Sequence, residues 1–284
     1  MRRALRRYVP AAALVALLTA VPARADTVQE TIIQDDPLLL SAESQEEVDA
    51  SFSYFKAIGV DRVRVSLVWD HVAPERLSQA KPAFPEPGPS SPAAYPPGSW
   101  ARYDRIALAA QSSGLALLFS VTGPGPAWIT EGRKCERAGP FRGCQEGMYR
   151  PDPDELRDFV TAAGTRYSGS YRLEAPVDPD DGELEPSGID DFGEPLVPEP
   201  VILPRVDHWS IWNEPNFPAW LLPIWQANEP ETAADMVPAS PAHYRRLVDS
   251  AMPASTRRDT VGTPSSSARR RPAGTRTRGS SASR

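Results

Sequence analysis

Cysteine is almost missing from this chain of 284 residues: the two present, Cys135 and Cys144, exclude a disulfide-dense mini-scaffold. Histidine is scarce too. His71, His208 and His243 lie far apart in sequence, so each reads as structural or exposed rather than as a ligand. No metal site and no cofactor is expected. No strand-like run is followed by G-x-G-x-x-G or a P-loop, which weakens the nucleotide-binding readings. Positive charge is in deficit, with 31 Lys+Arg against 37 Asp+Glu and a net charge of -6, which argues against a generic nucleic-acid binder. What is present is a 40% hydrophobic chain, too apolar to be disordered throughout and long enough for one or two domains with a sizeable core.

The charge is unevenly distributed. Residues 1–25 hold five Arg and no acid (+5), residues 255–284 hold eight Arg and one Asp (+7), and a total of -6 therefore leaves residues 26–254 at -18. The front end reads as an export signal. Arg2, Arg3, Arg6 and Arg7 precede an apolar run from Ala11 to Val21, and Ala23-Arg24-Ala25 is an A-x-A cleavage site. The run is too short for a stable membrane helix, so an N-terminal anchor is disfavoured and no membrane association is expected after cleavage. A secreted protein of bacterial type is expected. In an oxidising compartment, Cys135 and Cys144 read as a local disulfide rather than a metal site.

Four strand signals alternate with four helix signals. Thr31-Ile32-Ile33 ends at Gln34-Asp35-Asp36. Ser44 and Glu47 form a capping box before Val48, Phe52, Phe55 and Ile58, and Gly59 closes that helix. Val63 to Val68 is a second strand ending at Trp69-Asp70, followed by a long Pro/Ser loop from about Ala73 to Ser99. Tyr103, Ile106 and Ala110 mark a second helix that stops at Gly114. Leu115 to Val121 is nearly all apolar, as expected for a parallel strand buried on both faces. A helix capped by Asp152 with Pro153 at N1 follows a loop containing Trp128. Residues 174–204 hold ten acids and no base and read as a solvated acidic insertion. Val206 to Trp212 is the fourth strand, and Ser240-Pro241 opens the last helix. The fold class expected is α/β with a parallel sheet, either doubly wound or part of a (β/α)₈ barrel. Its polar residues gather at the C-terminal strand ends, where both architectures place their sites.

The richest stretch is Trp209-Ser-Ile-Trp212-Asn213-Glu214-Pro215-Asn216. Glu214 at a strand end against Trp rings is expected to be desolvated, which favours its protonated form and lets it donate a proton. Asn213 suits a substrate hydroxyl. Trp212, Trp69 and Trp128 offer ring faces for sugars, with core packing as the alternative. Asp35 and Asp36 either line a sugar subsite or cap a turn, and the subsite is the reading adopted. Trp-Asn-Glu-Pro-Asn closing a fourth strand resembles the acid/base motif of clan A glycoside hydrolases, the retaining (β/α)₈ enzymes that include family 5 and family 39 types. Gly59-Val-Asp-Arg-Val-Arg64-Val resembles their second strand. The resemblance covers about residues 30–252. It implies Glu214 as general acid/base, Asn213 as a hydroxyl ligand, Arg64 as the residue positioning the nucleophile, and a glycoside substrate.

A retaining glycosidase needs a second carboxylate about 5 Å from the first. In clan A that nucleophile is a Glu ending strand seven. A barrel takes roughly 30 residues per βα unit, yet beyond Met252 there are 32 residues with no Glu. From Ser255 on, only Asp259 and Val261 are not Arg, Ser, Thr, Ala, Gly or Pro. This stretch is expected to be a disordered basic tail, read either as an anion-binding arm or as a GC-rich gene translated out of frame. The expected organisation is a signal at 1–25, the first half of a barrel at 26–253 and the tail at 254–284. The expected function is that of a secreted O-glycosyl hydrolase, its activity in doubt for want of the second half. The alternatives are a non-catalytic carbohydrate-binding remnant and a secreted acidic interaction protein with 174–204 as its partner- or calcium-attracting loop.

Overall fold

The computed structural model describes residues 29–130, 147–173, 188–189, 195–196, 200–227 and 236–256. The expected signal at 1–25, the expected disulfide of Cys135 and Cys144, most of residues 174–204 and nearly all of 254–284 lie outside the described residues.

Four strands form one parallel sheet. They are β1 (Ile32–Ile33), β2 (Arg62–Val68), β3 (Ala116–Thr122) and β6 (His208–Ile211), in the order β1-β2-β3-β6. The short pairs β4 (Gly188–Ile189) with β5 (Pro195–Leu196) and β7 (Trp225–Ala227) with β8 (Met236–Pro238) stand apart as antiparallel ribbons. The helices are α1 (Asp36–Leu40), α2 (Gln45–Ala57), α3 (Ala101–Ser113), α4 (Pro153–Arg166) and α5 (Ser240–Thr256). The parallel α/β class expected from the sequence is therefore the one observed.

Strand order follows chain order without reversal. Right-handed crossovers then carry every connecting helix to the same face of the sheet. The packing agrees. Val63, Val65 and Leu67 of β2 and Leu117, Phe119 and Val121 of β3 share one core with Phe52, Ile106, Phe159 and Leu247 from the helices. No switch point of the doubly wound kind occurs among the described strands. The opposite sheet face carries the alternate residues: Arg62, Arg64, Ser66 and Val68, then Ala116, Leu118, Ser120 and Thr122, then His208 and Ser210. Apart from Val68, Ala116 and Leu118 these are polar, so this face of β3 turns polar toward its C-terminal end. Ser120 is the one polar residue between Ala116 and Val121.

Helix ends follow their signals. Ser44 accepts from the Glu47 amide at 3.2 Å, and Asp152 accepts from the Asp154 amide at 2.8 Å. Helix α1 is too short for periodicity to reveal; it forms because Asp35 caps it, accepting from the Leu38 amide at 3.1 Å. The Pro/Ser loop is packed rather than free: Phe84 and Tyr95 meet edge to face at 5.5 Å, and Phe84 meets Trp128 at 5.9 Å. The residues on either side of the acidic stretch pair as a two-stranded neck, where the Leu173 amide donates to Val201 O and the Leu203 amide to Tyr171 O. Leu203 is fully buried, so the body resumes before residue 204. This neck precedes β6 and thus lies at the end of the sheet opposite Asn213.

His243, near the start of α5, is 5% exposed, and its Nε2 is buried without a partner. Burial first, then the positive charge of Arg246, lowers its pKa to about 4. The unfolded chain, with an ordinary histidine near 6.5, takes up a proton first as pH falls. The stability tied to neutral His243 is thus complete above about pH 6.5 and lost progressively toward pH 4, a loss on the order of 2 to 3 kcal/mol. Urea midpoints taken across that window should fall in the native chain, and His243→Gln should flatten the slope. An equal slope in both proteins would refute the assignment.

Candidate functional site at the strand ends

The polar sheet face is tied together from β1 to β6. Asp36 accepts from the Ser66 amide through Oδ1 at 2.9 Å and from Gln34 Nε2 through Oδ2 at 2.8 Å. Strand β1 has already ended there, and the carboxylate substitutes for the carbonyl that a longer strand would have offered β2. Gln34 in turn accepts from Arg64 Nη1 at 3.0 Å. Arg64 Nη2 donates to Ser120 Oγ at 3.2 Å and to Asn213 Oδ1 at 3.1 Å. Ser210 Oγ donates to Ser120 Oγ at 2.9 Å, and the Asn213 amide donates to Thr122 Oγ1 at 3.0 Å. One guanidinium thereby joins the second strand to residues just beyond the ends of the first and fourth, across the third.

The backbone at Asn213 is unusual. Trp212 has φ 64° and Glu214 has φ 40°. Left-handed backbone is uncommon for any residue with a Cβ and rarer still for a bulky one; it persists only where its surroundings hold it. Here the Trp212 amide donates to Val121 O at 2.7 Å, and its indole Nε1 donates to Trp220 O at 2.8 Å. Gly123 makes room for the ring: a Cβ there would lie 2.8 Å from Trp212 Cζ2. This turn ends β6 one residue earlier than the sequence pattern predicts.

The predicted site residues separate into two groups. Arg64 and Asn213 come together, and Glu214 follows Asn213 in the turn beyond β6. Glu214 is exposed, so the expected desolvation against Trp rings is absent. Trp69 is 1% exposed, stacked on Phe159 with centroids 5.3 Å apart, and Trp212 is 3% exposed. Neither ring has an open face, so both are packing residues rather than sugar platforms. Trp128 is half-buried, donates to Pro74 O at 3.1 Å, and has the Lys81 ammonium 6.0 Å from its ring centre. Asp35 caps α1 and Asp36 has both oxygens engaged, which makes them structural acceptors rather than sugar ligands.

Sequence reasoning missed Gln34, Ser66, Ser120, Thr122 and Ser210 as members of the network. Period-two alternation opposite the Val and Leu positions was the available signal. It also missed Phe217, 49% exposed, and Trp225, 54% exposed, in the segment following Glu214. The Phe217 amide donates to Glu214 O at 2.9 Å, so its ring belongs to the same turn. Asp70, at the end of β2, has its pKa raised by burial, with Arg76 at 3.7 Å opposing the shift. Its Oδ1 is buried without a hydrogen-bond partner. Cavities of about 510 Å³ and 530 Å³ lie elsewhere, the first at the N-terminal strand ends by Arg62 and His208, the second beside Trp100 and Arg166. Within the strand-end network Ser66, Ser120 and Thr122 are buried, and Arg64 and Asn213 are half-buried.

No protein-family profile matches the chain, and no curated protein does. Among solved structures, the endo-1,4-beta-mannanase from Rhizomucor miehei is similar over 34% of this chain and 26% of its own length, at 19% identity and a TM-score of 0.23. The chain thus spans about a quarter of that structure, and a likeness at this score carries no argument about fold or chemistry.

Proposed function

We propose that this chain is a glycosidase of the clan A type its sequence resembles, acting on O-glycosyl bonds after export, with the singly wound sheet as part of a (β/α)₈ barrel. The observation that carries this reading is the Arg64–Asn213 bond, which draws the two resemblance motifs together beside Glu214. Glu214 protonates the leaving-group oxygen and, in a retaining reaction, then deprotonates the attacking water. Its exposure leaves it open to a ligand. Asn213 keeps its Nδ2 for a sugar hydroxyl, and the exposed rings of Phe217 and Trp225 take the stacking role first assigned to Trp69 and Trp212.

The test is hydrolysis of a panel of aryl β-glycosides by the purified chain. Glu214→Gln should lower kcat/KM by at least about 100-fold, the usual worth of a general acid. Unchanged turnover would sink the assignment. A second reading, carbohydrate binding without turnover, is favoured by one observation: among the described residues, no carboxylate faces Arg64 as a nucleophile would. Under that reading Glu214→Gln binds as the native chain does, and neither hydrolyses the panel.

A further inference from the structure

The cavity of about 530 Å³ beside Trp100 and Arg166 lies on the helix side of the sheet, the face opposite the Arg64 network. It is framed by the Pro-rich loop, the start of α3, the end of α4 and the residues just beyond α4. Its volume is in the range that takes a small organic ligand. Tyr95, Pro96, Pro97, Trp100, Tyr171 and Leu173 give it largely apolar walls. Among the described residues the charged groups on its wall are Asp104, Arg166 and Arg172, one acid against two arginines, which leaves one positive charge in surplus.

A guanidinium has two forks, each able to hold a carboxylate by two parallel N–H bonds. In Arg166 the fork made by Nε and Nη2 is filled by Asp104, at 2.7 and 2.6 Å. The second fork, made by Nη1 and the other proton of Nη2, has no acceptor among the described residues. Asp104 does not supply one: its carboxylate lies on the first edge and already accepts from the Tyr167 hydroxyl as well, at 3.0 Å. The free edge is not sealed in the core, because Arg166 lines the cavity and Nη1 is open to it. Rings hold the group in place, with the guanidinium carbon 5.7 Å from the Trp100 ring centre and 5.0 Å from that of Tyr171. Arg172 is exposed at the rim and makes no ion pair among the described residues.

Arg166 and Asp104 cancel, so the surplus charge is that of Arg172. A hydroxyl or amide ligand would occupy the second fork and leave that charge unmatched. A dianion such as phosphate would exceed it. A single carboxylate fits both the fork and the charge, and a flat ring suits walls of proline and tyrosine. We propose that this cavity binds an aryl carboxylate, its head on the second fork of Arg166 near Arg172 and its ring against Pro96, Pro97 and Tyr171. The inference is independent of the carbohydrate reading, since no residue of the cavity belongs to the strand-end site. Arg166 is already fixed by Asp104 and by the rings, so little side-chain freedom is lost when the anion arrives.

The experiment titrates the full chain with sodium 3-phenylpropionate, 3-phenylpropan-1-ol and sodium acetate. Binding is followed by calorimetry and by the NMR signal of the Trp100 indole N–H, which donates to Pro92 O at 3.3 Å. Phenylpropionate should bind about tenfold tighter than the alcohol, the scale of one charge-assisted hydrogen bond, and should move the Trp100 signal. Arg166→Lys keeps the charge without the fork and should remove that preference. Because it also loosens a buried pair, two variants at exposed positions accompany it. Arg172→Gln should reduce the preference about threefold, the scale of one exposed charge. Ala93→Trp, on the cavity wall, should fill the space and abolish binding with the unfolding curve unchanged. Equal binding of acid and alcohol by the native chain would overturn the carboxylate assignment. Acetate binding as tight as phenylpropionate would overturn the aryl assignment. Binding undiminished in Ala93→Trp would overturn the placement in this cavity, and no binding by any probe would overturn the inference while leaving the carbohydrate reading untouched.

Discussion

Asp104→Ala should lower the unfolding free energy by about 3–5 kcal/mol, the usual cost of removing one partner from a buried ion pair. The two side chains are each 10% exposed and bond twice, Arg166 Nε to Oδ1 at 2.7 Å and Nη2 to Oδ2 at 2.6 Å. Tyr167 adds its hydroxyl to Oδ1 at 3.0 Å. Burial works against the charge on Arg166, and the Asp104 carboxylate more than offsets it, so the net shift of that guanidinium is upward. Taking Asp104 away leaves a buried cation between the Trp100 and Tyr171 rings, at 5.7 and 5.0 Å, and a buried phenol without its acceptor. Both penalties are those of unmatched groups, which exceed the net worth of the matched pair. The control is Asp154→Ala at the exposed pair with Arg157, expected to change stability by no more than about 0.5 kcal/mol. Chemical denaturation of both variants decides it: a loss below about 1 kcal/mol for Asp104→Ala would mean that water reaches Arg166.

The sequence made the layered fold readable because its strands and helices carry the two periodicities cleanly. Val63, Val65 and Leu67 alternate with Arg64 and Ser66, and Ser44, Gly114 and Asp152 mark helix ends by their own side-chain or backbone chemistry. The positions of Arg64, Asn213 and Glu214, not their roles, were legible for another reason: each sits at a strand end or on the strand face that a parallel sheet brings together. The roles of the aromatics were not legible. A Trp at a strand end buries its ring or presents it according to what arrives from elsewhere in the chain, and Phe159 lies 90 residues beyond Trp69. Asp35 and Asp36 failed in a similar way. Their acceptors were matched by amides that only the short β1 and the unpredicted α1 place within reach. The exposure of Glu214 depends on the left-handed φ values on either side of Asn213, which no propensity signals.

Phe159→Ala should cost a further 3–5 kcal/mol or so, within the range for deleting a buried aromatic ring. Phe159 is fully buried, with Trp69 stacked on it at 5.3 Å and 7° and Trp100 at 5.7 Å and 16°. The two indoles belong to different elements, one at the end of β2 and one opening α3, so the benzyl group joins the sheet to the helix layer and to the Pro-rich loop through Tyr95. Rigid rings on either side cannot close on the space left, which puts the cost toward the upper end of the range. The consequence reaches the site because Trp69 fixes the end of β2, two residues beyond Leu67 and five beyond Arg64. Trp69→Ala should therefore resemble Phe159→Ala in its loss of stability. Trp225→Ala, at a ring 54% exposed, should leave stability within about 0.5 kcal/mol and act on ligand binding instead. If the pattern were reversed, with Trp69→Ala stable but unable to bind sugar and Trp225→Ala unfolded, the division of the aromatics into core and platform would be wrong. The same thermal or urea unfolding curves that measure Phe159→Ala thus decide which tryptophans belong to the fold and which remain available to a ligand.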